Sequence, residues 1–275
     1  METLYGLYLA GGKSSRMGSP KWALEFREGT TFLDHAYEQL DAVCDKVYLS
    51  LAEPNVDLAY PQIIDTLDAG LLGGLLAAHQ DHPEASWVVL ACDLPAVTSA
   101  DLRTLTENIG DSEAVAFLNP IDEVPEGTAT YYTSTALKKL TSYIENGQYC
   151  ARHFLDELSL KALPAPTSYT LQNVNYPDDY EEWKLRQQHG ERQISIEVEF
   201  YAKLKQDAGL GRLIISTSSY TVAGLWEECR LHYNLSLKKP NVKPAIFSLS
   251  VIIPKLGSSG APNSIVKSPA INLKT

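Results

Sequence analysis

Residues Leu9 to Lys21 read LAGGKSSRMGSPK and directly follow a short apolar, β-rich run. The types and spacing suit phosphate binding. Gly11 and Gly12 lack a Cβ, so their backbone N–H groups can approach an anion closely, next to the main chain of Leu9 and Ala10. Arg16 offers a planar fork for phosphate oxygens, and Lys21 a mobile point charge. Gly-Gly alone would be an ordinary tight turn with solvated basic neighbours. The complete string of Gly-Gly, Arg, Met-Gly and Lys argues for a phosphate loop. It is neither G-x-x-x-x-G-K-[ST] nor G-x-G-x-x-G.

A second candidate is Asp93 in ACDLP, where the apolar run SWVVLA ends. In open α/β sheets the carboxyl ends of strands are where ligands bind, and a carboxylate there can hold Mg²⁺. By itself, Asp-x-Pro would read as a cap or turn. With the phosphate loop upstream, the metal reading is preferred.

These residues need a scaffold, and the sequence supplies one. LYGLYL at 4 to 9, KVYLSL at 46 to 51 and SWVVLA at 86 to 91 read as buried strands. Between the first two, Phe32, Ala36, Tyr37, Leu40, Val43 and Cys44 recur at three- and four-residue steps, which puts them on one helical face. A second helix is expected from Leu71 to Asp81, and a third from a Ser99 cap with Asp101 in its first turn. Strand, helix, strand in repetition predicts α/β architecture with a doubly wound, mostly parallel sheet. Further on, EAVAFL and TATYYT read as strands, and Ser134 to Ile144 and Ala151 to Leu158 as helices. Leu163 to Ser168 reads as a loop. A short strand is expected in LQNVN, followed by a helix capped by Asn175 or Asp178.

The first domain is drawn at 1–190. From Ile194 the pattern alternates strictly in ISIEVEF, then RLIISTSS gives a second strand and TVAGLWEECRLHY a helix with Val222, Leu225, Trp226 and Cys229 inward. This predicts a smaller ubiquitin-like domain at 194–247. No Asp or Glu occurs after Glu228, whereas seven Lys or Arg do. Residues 248–275, rich in Ser, Pro, Gly and Asn, are read as a poorly ordered tail.

A formal net charge of −11 over 275 residues argues against nucleic acid as a partner, because phosphate backbones select basic surfaces. No basic leader and no membrane-length apolar run are present, so the expectation is a cytoplasmic protein without membrane contact. The four cysteines, Cys44, Cys92, Cys150 and Cys229, are scattered and suggest reduced thiols. His79 and His82 are three residues apart but lack a third ligand nearby, so zinc is not expected.

The string LAGGKSSRMGSPK resembles the signature of the molybdenum cofactor guanylyltransferase family, within the wider nucleotidyltransferases. Three later stretches are similar in order and spacing: IIDTLDAGLLGGLLAA, ACDLP and NVNYPDDYEEW. The resemblance covers Leu4 to about Gln188. It implies a Rossmann-like nucleotidyltransferase that transfers GMP from GTP to molybdopterin, or its molybdenum-bound form, and releases pyrophosphate with Mg²⁺ as cofactor. Asp93 would bind the metal, and Arg16, Lys21 and the Gly11 and Gly12 amides the β- and γ-phosphates. Asp65 would accept from the N1–H and exocyclic amine of guanine, while Gly73 and Gly74 let backbone approach base or ribose. Asn173 and Asn175 would orient the acceptor or a metal-bound phosphate. Two positions depart from the family: Leu71 replaces an expected proline, and Ser50 stands where Asn is common.

Within 194 to about 246 the sequence resembles the small, sulfur-carrying subunit of molybdopterin synthase. That family ends in Gly-Gly, whereas this sequence ends NLKT, so the expectation is an incomplete domain unable to carry sulfur, through a truncation or frameshift near Ile246. Other proteins of molybdenum cofactor biosynthesis are then expected partners. The competing readings are a cytidylyl or sugar-phosphate nucleotidyltransferase, and a non-catalytic scaffold of the same pathway.

Overall fold

The computed structural model describes residues 3–11, 17, 19–67, 69–120, 123–167, 169–189, 194–200, 212–217, 219, 224–225, 229, 247–252 and 265–266. The chain divides into two compact units, Met1–Asn175 and Tyr176–Thr275. The helix expected to close the first domain therefore groups with the second unit.

In the first unit, β1 (Leu4–Leu9), β4 (Lys46–Leu51), β5 (Gln62–Ile64) and β6 (Ser86–Ala91) run parallel. The segments LYGLYL, KVYLSL and SWVVLA are apolar without alternation because helices cover both faces, so most successive side chains are buried. Around them lie β7 (Ala114–Leu118), β8 (Pro125–Tyr132) and β9 (Leu160–Pro164), giving the order β5-β4-β1-β6-β8-β7-β9 among the described residues. β8 is antiparallel to both β6 and β7, while β7 and β9 are parallel. The sheet is therefore mostly parallel, as expected.

Helix α1 (Phe32–Asp41) and helix α3 (Ser99–Glu107) cover one face, where Leu33, Leu40, Leu102 and Leu105 pack with Tyr8, Leu49, Val88 and Phe117. Helices α2 (Leu71–Asp81), α4 (Ser134–Glu145) and α5 (Ala151–Asp156) cover the other, where Leu72, Leu75, Leu137, Leu140 and Phe154 meet Leu7, Val89 and Trp87. Neighbours such as Leu7 and Tyr8, or Val88 and Val89, serve opposite cores because side chains alternate along a strand.

Helix starts follow local chemistry. Thr31 and Asp34 form a reciprocal capping box at α1. Thr98 and Asp101 do the same at α3, so the cap is Thr98 and Ser99 is the first helical residue. A small hairpin of β2 (Glu25–Arg27) and β3 (Thr30–Thr31) leads into α1. Two assignments change. Leu163 and Pro164, read as the start of a loop, instead end the strand Leu160–Pro164, which pairs along β7, a tertiary contact that Pro164 conceals. The strand expected in LQNVN is instead irregular chain, anchored by buried Leu171 and Val174.

The second unit begins with α6 (Pro177–His189). Its buried Glu182 and Arg186 pair across one helical turn at 3.4 Å. Strands β10 (Ile194–Phe200), β11 (Arg212–Thr217), β12 (Phe247–Ile252) and β13 (Ile265–Val266) form an antiparallel sheet in the order β11-β10-β12-β13. The register aligns Val198 with Leu213 and Leu249. Gly224, Leu225 and Cys229 have helical backbone, and Leu225 and Cys229 are buried. Val222 and Trp226 lie outside the described residues. These elements alone do not support a ubiquitin-like arrangement, and β12 and β13 arise from sequence expected to be tail. The alternation of Phe247, Leu249 and Val251 with serines is the strand signal in that stretch. No described helix is long and apolar enough to cross a membrane.

Candidate active site

The register of the parallel strands decides which side chains meet at their carboxyl ends. Leu9 pairs with Ser50 on one side and Ala91 on the other, and Ser50 pairs with Ile63. Ala10 N donates to Ser50 O at 3.1 Å, Asp65 N to Leu51 O at 2.8 Å and Cys92 N to Leu9 O at 3.3 Å. The chain order steps from β1 outward to β4 and β5, then returns across β1 to β6. That reversal is the topological switch point where such sheets open a crevice.

A pocket of about 240 Å³ lies there. Leu9, Gly11, Lys21, Asp65 and Asp93 line it together, although they come from three separate strand ends, those of β1, β5 and β6. Ser50, Leu51, Ala52, Gly70, Leu71, Ala91, Cys92 and Thr128 complete the wall. Ala10 is buried in the core on the α1 and α3 face and does not line the pocket. Gly12 and Arg16 lie outside the described residues.

Lys21 opens a single 3-10 turn, Lys21–Ala23, after Pro20. Trp22 packs against the core on the α1 and α3 face, which fixes where the turn sits. The Lys21 ammonium donates to Asn175 Oδ1 at 2.5 Å and stands 3.5 Å from Asp93 Oδ2. Asn175 reaches it because Val174, buried, donates its N–H to Asp93 O at 2.8 Å. Asn173 is half-buried and does not line the pocket.

Asp93 sits just past β6. Its Oδ1 is buried and has no hydrogen-bond partner among the described residues. Burial raises the carboxyl above its ordinary range, against the opposing pull of Lys21, and Glu126 adds a further upward push. Beside it, burial and the Asp93 charge push the Cys92 thiol up to about 12, so this cysteine is a protonated wall residue. An anionic oxygen without a donor, facing a pocket, suits a cation. Among the described residues no three His, Cys, Asp or Glu side chains converge, so a metal here would take its remaining ligands from water or substrate oxygens, the habit of Mg²⁺.

At the opposite end, Asp65 follows β5 and its Oδ1 accepts from Leu67 N at 2.8 Å. Its carboxylate rests on α2, where a methyl added to Gly73 would lie 2.5 Å from both oxygens. Gly74, one residue on, packs against the Ser50 hydroxyl and Leu9. Both glycines are buried in α2, so in this structure they let the helix approach Asp65 and β4, and neither lines the pocket. Gly70, with φ 59°, ends the loop and leaves the start of α2 without a side-chain cap. Gly70 and Leu71 thereby present backbone to the pocket.

Sequence reasoning singled out Ser50 only as a departure and missed Cys92 and Thr128. Cys92 adjoins Asp93 and could have been inferred from it. Thr128 could not, since it arrives on the one antiparallel strand and belongs to no motif.

Comparison with known proteins gives consistent matches. The description "MobA-like NTP transferase domain" fits residues 6–162. A molybdenum cofactor biosynthesis bifunctional protein of Synechocystis sp. is 30% identical over 185 residues, spanning 64% of this chain and 52% of that protein. This chain thus matches about half the length of that relative. A probable molybdenum cofactor guanylyltransferase of Nostoc sp. is 31% identical over 186 residues, spanning 65% of this chain and 89% of that protein. Among solved structures, molybdopterin-guanine dinucleotide biosynthesis protein A from Archaeoglobus fulgidus superposes with a TM-score of 0.56 at 20% identity, covering 67% of this chain and 98% of that one. The 2-C-methyl-D-erythritol 4-phosphate cytidylyltransferase from Thermus thermophilus has a TM-score of 0.51 at 13% identity, covering 66% and 98%. At these identities the structural likeness speaks for the fold alone.

Proposed function

We propose that this chain, which belongs to the MobA-like NTP transferase family and is a nucleotidyltransferase, transfers GMP from GTP to molybdopterin or its molybdenum-bound form. The observation that carries the reading is the convergence of Gly11, Lys21, Asp65 and Asp93 on one pocket at the switch point of the sheet. The names of the relatives supply the acceptor.

In this reading Asp65 meets the guanine. A carboxylate accepts from both N1–H and the exocyclic amine, a donor pair that adenine does not offer on the same edge. Gly11 and Lys21 take the triphosphate, together with Gly12 and Arg16 of the same loop. Asp93 would hold a divalent cation, Mg²⁺ in the cell, through the oxygen that has no protein donor. When bound, that ion supplies neutralisation of charge on the phosphate oxygens.

The terminal phosphate of the pterin attacks the α-phosphorus of GTP. A new P–O bond forms as the bond to the β-phosphate oxygen breaks, and pyrophosphate leaves with the electron pair. No dedicated base is required, because the attacking phosphate is already anionic at neutral pH. Positioning and charge stabilisation by Lys21 and the loop amides then carry the rate. Asn173 and Asn175 flank Val174, whose N–H binds Asp93 O, and in this reading they orient the acceptor or a metal-bound phosphate.

Incubation with GTP, Mg²⁺ and molybdopterin, followed by mass analysis of the pterin, tests the proposal. The expected product is heavier by one GMP unit and appears in step with pyrophosphate. The same product from CTP, with none from GTP, would replace the guanylyl reading by a cytidylyl one.

A further inference from the structure

We infer that Asn175 is a positioning residue that holds the Lys21 ammonium off Asp93 and so keeps that carboxylate open to a divalent cation. This rests on the assignment of the cation to Asp93 made above. The distances are the reverse of what charge alone would give. Lys21 Nζ is 2.5 Å from the neutral amide oxygen of Asn175 and 3.5 Å from the anionic Asp93 Oδ2. A charge-assisted N–H···O bond normally closes to about 2.7–2.9 Å. The lysine stem has four flexible carbons, so reach does not explain the gap.

The main chain does. Val174 N–H is bound to Asp93 O at 2.8 Å, and the Val174 side chain is buried, so the backbone entering Asn175 is pinned to the loop that carries Asp93. Asn175 has only two side-chain torsions with which to place its amide. The carboxylate and the amide oxygen are thereby set at a separation that the ammonium can bridge but not collapse. Asp93 Oδ1 stays without a donor among the described residues, and Oδ2 is held at arm's length. Without the amide, Lys21 would close onto Asp93 as a tight ion pair and compete with any cation for the same oxygens.

The test is Mn²⁺ binding to the full chain without nucleotide, followed by the electron paramagnetic resonance of the free ion. Asn175→Leu keeps the side-chain volume and removes the acceptor. It is expected to weaken Mn²⁺ binding about tenfold, within the usual 10- to 100-fold range for residues that tune a metal ligand. Adding Lys21→Met to Asn175→Leu should restore binding to the wild-type level or better, because the competitor is gone. Asn175→Asp retains an acceptor for Lys21 and should bind Mn²⁺ at least as well as wild type. Wild-type affinity in Asn175→Leu overturns the inference. So does a double variant that stays weak, which would make Asn175 a ligand or a purely structural anchor. Weakened binding in Asn175→Asp overturns it as well, and that variant decides the matter if Asn175→Leu fails to fold. Asp93→Asn separates the two claims. Loss of Mn²⁺ binding there upholds the underlying site, whereas undiminished binding refutes that site irrespective of Asn175.

Discussion

Both carboxylate oxygens of Asp65 lie against the α-carbon of Gly73, near enough that a single methyl group would stand 2.5 Å from each. The contact ties a strand-end acid that lines the pocket to the first turn of α2. Gly73 is needed for a packing reason that its place in a glycine-rich stretch only hints at.

Gly73→Ala is therefore expected to displace Asp65 while leaving the fold intact. Overpacking of this kind costs about 1–3 kcal/mol. The expected result is a raised KM for GTP and a lowered melting temperature, with part of the lost stability recovered in Gly73→Ala/Asp65→Ala. A KM equal to that of wild type in Gly73→Ala would separate Asp65 from the base.

In the proposed reading, selectivity for the base follows from the same acid. Asp65→Asn exchanges one acceptor oxygen for a donor, and a site built around a hydrogen bond discriminates by about 10⁴ or more when the pair is complete. The variant should lose about 100-fold in kcat/KM for GTP and narrow the gap between GTP and inosine triphosphate, which lacks the exocyclic amine. Steady-state rates with both nucleotides check this, and an unchanged ratio would sink it.

Lys21→Ala and Asp93→Asn should each lower GMP transfer by about 100-fold or more, in line with the removal of a charge-stabilising group. Circular dichroism should remain native, since both side chains serve the pocket and not the core. Full turnover in either variant contradicts the assignment.

Asp93 also predicts a trade between stability and function. Its carboxyl lies above the ordinary value of 3.8 in the fold, chiefly through burial, so the folded state disfavours the charged form. Stability should therefore fall as pH rises through the window between that value and the raised one, and the penalty is complete only above the raised value. With a chelator at pH 7, Asp93→Asn should melt no lower than wild type, and any advantage should vanish at the acid end. Added Mg²⁺ should raise the melting temperature of wild type alone. A lower melting temperature for Asp93→Asn under chelation would reverse the sign of the argument.

His35 sets an acid limit away from the site. Its ring stacks on Phe26 at 3.6 Å, and burial, aided by Arg27, depresses it from 6.5 to about 4. The neutral form is favoured in the fold, so stability is complete above 6.5 and declines as pH falls toward 4. The ring is only half-buried, and after allowance for solvent screening the loss is about 1 kcal/mol. His35→Phe should flatten that part of the melting curve against pH; an unaltered slope would assign the acid sensitivity to another group.

Much of the first unit was legible because its signals are local. The apolar runs at 4–9, 46–51 and 86–91 and the helical spacing of Phe32, Ala36 and Leu40 need no tertiary information. Leu160–Pro164 was not legible, since only pairing with β7 makes it a strand. In the site, Lys21 and Asp93 carry a motif. The bond from Lys21 to Asn175 carries none, because capping a helix and holding a lysine ask for the same side chain. Thr128 was invisible for the reason that its strand runs against its neighbours.

The Lys21 to Asn175 bond joins positions 154 residues apart. During synthesis every strand of the seven-stranded sheet leaves the ribosome before Asn175 does, and contacts of such sequence separation form late. The nascent chain thus carries its phosphate loop and Asp93 for most of its elongation with the ammonium not yet clamped. Assembly of the site therefore ends with one short returning segment, the last of its described parts to be synthesised.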